Sequence, residues 1–108
     1  MEMIVYISGP YTKGDVAANV QQAMWAGLTI LDHGHTPLVP HLSHFLHLLS
    51  QRPWDRWLEM DLALVRVSDA LIRLEGESEG ADREVGAARE QGIPIYYGMR
   101  EWVRHEHS

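Results

Sequence analysis

Met3-Ile4-Val5-Tyr6-Ile7-Ser8-Gly9-Pro10 is the stretch on which the fold turns. Met3 to Ile7 is a short apolar, β-branched run, and Ser8-Gly9-Pro10 closes it with turn chemistry. A buried parallel strand ends in a loop in this way. The loop over residues 8 to 14 is therefore the first place to look for a site. Downstream, Asp15 is a helix cap. Val16, Val20, Ala23, Met24, Gly27, Leu28 and Leu31 follow at three and four spacing, with Gly34 as the stop.

The same alternation continues along the chain. Thr36 to Val39 is a second strand, and Leu42 to Leu49 a short helix. Pro53 suits a first helical position for a helix running to about Val67. Ala70 to Leu74 is a third strand. An acidic loop over Glu75 to Gly80 leads into a helix from about Ala81 to Gln91, and Gly92 precedes a fourth strand at Ile93 to Tyr97. Residues Glu101 to Ser108 form a helical end with a frayed tail. Strands alternating with helices imply right-handed crossovers, so the expected fold is α/β. It is a single-domain Rossmann-like or flavodoxin-like parallel sheet with helices on both faces, spanning residues 1 to 108. In such folds ligands sit beyond the carboxyl ends of the strands.

Composition narrows the function. The 108 residues include 9 Lys plus Arg against 15 Asp plus Glu, for a net charge of −6, and no Cys. An acidic chain without a basic stripe offers no footprint for a nucleic acid polymer or an anionic membrane. The apolar runs fall far below the roughly 20 residues needed to cross a bilayer, and no leader is recognisable, so a cytoplasmic location is expected. Without Cys there are no disulfides, thiolate nucleophiles or Cys-ligated zinc. His33, His35, His41, His44 and His47 cluster, with the last three at three-residue spacing on a helix. They lack a His-Glu-x-x-His pattern and neighbouring carboxylates, so no metal is expected.

Two carboxylates stand in apolar company. On the helix from Pro53 one face carries Trp54, Trp57, Leu58, Asp61, Leu62 and Val65, which places Asp61 within the apolar stripe. On the next helix Ala81, Val85 and Ala88 mark the buried face, with Glu84 beside them in the expected first turn. There the positive helix end would favour an anion at Glu84, while desolvation would raise the pKa of Asp61. The separation suits a nucleophile and an acid/base partner. The bland readings are pairing of Asp61 with Arg56 or Arg66 and an exposed salt bridge for Glu84. Asp69 and Asp82 have ready roles in capping, and Trp54 and Trp57 read as core or dimer packing. The loop from Ser8 to Gly14 matches neither a P-loop nor a dinucleotide fingerprint.

Three blocks together resemble the nucleoside 2-deoxyribosyltransferase-like family, including its small deoxynucleoside monophosphate N-glycosidases. They are Val5 to Pro10, Asp61-Leu62 with Ser68-Asp69-Ala70, and Ser78 through Ala88. The resemblance covers roughly residues 3 to 97. It implies that Glu84 is the nucleophile attacking C1′ of the sugar, that Asp61 handles protons or positions the ribose, and that Tyr6 hydrogen-bonds near the nucleophile. It further implies that Ser78 and Gly80 hold a 5′-phosphate, with Ser8, Gly9 and Pro10 alongside, and that no cofactor is needed. The expected partner is a small nucleoside or nucleotide, and the expected activity is N-glycosidic cleavage by hydrolysis or base exchange. The alternative is a non-catalytic nucleotide-binding sensor of the same fold. Four Trp and an apolar helical face beyond what one small sheet can cover point to a homodimer.

Overall fold

The computed structural model describes residues 2 to 107, so Ser108 of the expected C-terminal tail lies outside the described residues. Its centre is strand β1 (Ile4–Ser8), flanked in chain order by α1 (Val16–Asp32), β2 (Thr36–Leu38), a 3-10 turn (Pro40–Leu42) and α2 (Ser43–Leu49). There follow α3 (Trp54–Arg66), β3 (Ala70–Arg73), α4 (Glu79–Glu90), β4 (Ile95–Tyr97) and α5 (Met99–Glu106). The sheet is wholly parallel, in the order β2-β1-β3-β4. Val5 pairs with Pro37, Tyr6 with Leu71, and Ile72 with Tyr96. Pro37 donates no ladder bond, which an edge strand tolerates.

Because strand side chains alternate, β1 serves two faces. Val5 and Ile7 join Ala23, Ala26 and Ile30 of α1 and Trp102 of α5 in one core. Tyr6 faces the other way, with Val65 of α3 and Val85, Ala87 and Ala88 of α4. Each fully buried Val, Leu or Ile contributes about 1.5–3 kcal/mol, so these two layers hold the sheet. The expected α/β parallel sheet with helices on both faces is what forms.

Local chemistry sets the element ends. Asp15 accepts from the Ala18 amide at 3.2 Å and caps α1. Pro53 is extended, with ψ of 151°, and stands just before α3 rather than within its first turn. Ser78 caps α4, its Oγ accepting from the Ala81 amide at 3.1 Å, so this helix begins two residues earlier than Ala81. That shift moves Glu84 from the expected first turn into the second, where the field of the helix end has largely faded. Asp69 and Asp82 both have structural roles, though neither caps a helix. The first accepts from the Ile4 amide at 2.8 Å, and the second pairs with Arg73 at 3.1 Å in the first turn of α4.

From β1 the chain runs through α1 to β2 on one side, then crosses to β3 on the other. The crevice between these departures opens at the carboxyl ends of β1 and β3, where doubly wound sheets bind ligands.

Candidate active site

Ser8 is the last residue of β1 and is fully buried on the same face as Tyr6. Its hydroxyl donates to Glu84 Oε1 at 2.8 Å and lies 3.3 Å from the carbonyl oxygen of Ala81. Glu84 is only 6% exposed, held against the sheet by the alanines that flank it on α4. Asp61 reaches the same cleft from α3, where its carboxyl and that of Glu84 influence each other electrostatically. Asp61 Oδ1 has no hydrogen-bond donor among the described residues, and neither Arg56 nor Arg66 pairs with it; Arg56 pairs with Glu59 instead. The Tyr6 hydroxyl is also buried and unpartnered, approaching Glu84 without full hydrogen-bond geometry.

Burial therefore governs the electrostatics. Desolvation raises the pKa of Asp61, and raises that of Glu84 at least as far, with the charge of Asp61 adding to the effect on Glu84. The Ser8 hydroxyl opposes this by stabilising the Glu84 anion. Both carboxyls, and not Asp61 alone, are thus pushed toward neutrality, because Glu84 lies deeper than a first-turn residue would. Tyr6 is raised well above the usual phenol range by burial first, then by the charges of Glu84 and Asp61. Two desolvated carboxyls, each disfavouring ionisation of the other, can act as anion and acid together.

Above the pair lies a cleft of about 680 Å³, within the range of small-molecule sites. Gly9, Ser78 and Gly80 line it along with Asp61 and Glu84. Tyr6 and Ser8 form the floor beneath. Pro10 does not line the cleft: its ring packs against Gly76, and its carbonyl accepts from His41 Nε2 at 3.0 Å. Gly9 is needed for close approach, since a Cβ there would sit 3.0 Å from that of Leu74. Asn19 of α1 holds the rest of the loop by donating to the carbonyls of Tyr11 and Lys13 at 3.0 and 2.8 Å.

Trp54 and Trp57 are the clearest departure from expectation, because they line the cleft instead of filling a core. Trp54 is 47% exposed, with the Arg83 guanidinium 5.8 Å from its ring centroid. Their place on the stripe with Asp61 is the available signal, since a helix face that carries a carboxylate lining a cavity also borders that cavity. His41, His44 and His47 line the cleft as well, a placement that spacing alone does not reveal. Among the described residues no group of His, Asp or Glu is arranged to hold a metal, and no helix is long and apolar enough to cross a membrane.

A parallel α/β sheet with a desolvated carboxyl pair beside a cleft at its switch point defines the class as doubly wound α/β proteins, whose ligand sites lie at that point. More narrowly, residues 3–98 match the family described as domain of unknown function DUF7768, and the chain belongs to it. No curated protein sequence matches the chain. Among solved structures, the fold is similar to that of a 2-deoxyribosyltransferase from the psychrotolerant bacterium Bacillus psychrosaccharolyticus. The TM-score is 0.62 at 20% identity, over 85% of this chain and 69% of that one. It is also similar to the 2-deoxyribosyltransferase from Leishmania mexicana, with a TM-score of 0.61 at 17% identity. There the match spans 85% of this chain and 61%, less than two thirds, of the other.

Proposed function

We propose that the chain cleaves the N-glycosidic bond of a nucleoside or nucleoside 5′-monophosphate through a glycosyl ester on Glu84. The observation that carries the reading is the buried contact of Ser8, Glu84 and Asp61 at the bottom of the cleft. The Glu84 carboxylate attacks C1′ and forms the ester as the C1′–N bond breaks, with the electron pair leaving on the base. Protonated Asp61 supplies the proton that the departing base needs. Water then adds at C1′ and gives its proton to Asp61, which frees Glu84; a second base with an N–H does the same in base exchange. Positive charge developing at C1′ favours the microstate with Glu84 as the anion and the proton on Asp61.

Tyr6 orients Glu84 from below, and Ser8 acts as a positioning residue rather than a direct substrate contact. Ser78 and Gly80 line the cleft at the start of α4, beside Glu84. The protein works as a homodimer, supported by apolar residues left open on α1 and α2: Trp25, Leu28 and Leu31 on the first, and Phe45, Leu48 and Leu49 on the second. A monomer by light scattering at micromolar concentration would remove that assignment. The activity is tested by base release from ribo and deoxy nucleosides and 5′-monophosphates, with and without a second free base, in wild type and Glu84→Ala. Release that depends on Glu84 is expected. Binding without release from any member would make the cleft a nucleotide sensor.

A further inference from the structure

The three histidines on the cleft wall are not used by the chemistry above, and their bonding shows what they present. Helix α2 buries none of its residues, so His44 and His47 are not core fillers. His47 Nδ1 accepts from Trp57 Nε1 at 2.8 Å and from the Arg52 amide at 3.3 Å. Neither donor can accept in return, so Nδ1 carries no proton and the neutral ring holds its hydrogen on Nε2. That Nε2 has no hydrogen-bond partner among the described residues. His44 Nδ1 meets the Tyr11 hydroxyl, which can donate or accept, so this bond does not set which ring nitrogen of His44 carries the hydrogen.

Arg52 completes the wall. Its guanidinium bonds Ser50 Oγ and the Gln51 carbonyl, and among the described residues it has no carboxylate partner. Two exposed acids that line the cleft are already engaged, Glu77 with Lys13 at 3.5 Å and Glu79, the first residue of α4, with Arg83 at 3.6 Å. His41, by contrast, gives its Nε2 hydrogen to Pro10 and serves the loop. His47 and Arg52 thus offer N–H donors to a cleft that His44 also lines.

We infer that His47, Arg52 and His44 form a recognition site for a phosphoryl group, a ligand that is all acceptor and negatively charged. Naming that group as the substrate's own phosphate rests on the glycosidic reading above; the anion site itself does not. Under this inference the cleft selects nucleoside monophosphates over nucleosides, and the phosphate lies against α2 instead of the α4 start.

The test titrates inorganic phosphate into the intact protein while imidazole and backbone resonances are followed by NMR, in wild type, Arg52→Ala and His47→Gln. Saturable shifts of the His47 and His44 rings are expected, with affinity lowered about tenfold in Arg52→Ala. Shifts confined to the Ser78 and Gly80 amides, or no shift at all, would overturn the inference. Base release measured on the same proteins separates the two readings. Ring shifts without turnover would leave the anion site standing and remove the glycosidase. Turnover of nucleosides and monophosphates at equal efficiency, with silent histidines, would do the reverse.

Discussion

The hydroxyl of Ser8 hydrogen-bonds the carboxyl of Glu84 across 76 residues of sequence, at 2.8 Å and out of contact with solvent. The bond partly offsets the burial that pushes Glu84 toward its neutral form. Ser8→Ala removes this donor, so the Glu84 pKa rises further. The acid limb of the pH-rate profile should therefore move to higher pH, while the residual rate at alkaline pH recovers part of the loss. A profile that keeps its position and falls uniformly would make Ser8 merely structural.

Glu84→Gln and Asp61→Asn should each lower turnover by at least about a hundredfold without destabilising the domain. The stability effect has a definite sign. A carboxyl whose folded pKa is raised keeps its proton when the unfolded chain has lost it, so stability falls as pH rises from the usual carboxylate range through neutrality. The amides remove that penalty. Thermal unfolding should show both variants as stable as wild type near pH 4 and more stable near pH 8. Equal melting temperatures at both ends would contradict the desolvated pair.

Trp54→Ala tests the cleft wall. Stacking of a nucleobase on an exposed ring is worth about 1–3 kcal/mol, so binding of a nucleoside ligand should weaken by roughly tenfold or more. The melting temperature should barely move, because the ring is nearly half open to solvent. Isothermal titration alongside a thermal scan distinguishes this from a packing role.

Gly76→Ala tests how the loop after β1 is braced. Gly76 has φ of +120°, and a Cβ there would stand 2.6 Å from Cγ of the Pro10 ring. The variant should lose about 1–3 kcal/mol of stability and loosen the loop after β1. Denaturant unfolding reads the first effect, and weakened ligand affinity the second.

The sheet and its helices were legible because their signals are periodic and local. The run from Met3 to Ile7 and the stripe from Val16 to Leu31 each carry their own period. Asp61 and Glu84 were legible as charges among apolar neighbours. What escaped depended on distance in the chain. That Ser8 bonds Glu84, or that His47 meets Trp57, follows from how β1, α2, α3 and α4 pack, which no local window contains. The depth of Glu84 was misread because Ser78, a single cap, starts its helix earlier and so turns a first-turn anion into a second-turn buried acid.

Helix α2 contributes two imidazoles to the cleft and nothing to either core, whereas Glu84 and Ser8 are embedded in the packed face of the sheet. The carboxyl end of the cleft is consequently tied to the folding of the sheet, and the α2 wall is not. Substitutions at His44 and His47 therefore cost neither core any packing, and under the proposed function the ligands admitted can change without disturbing Ser8 or Glu84.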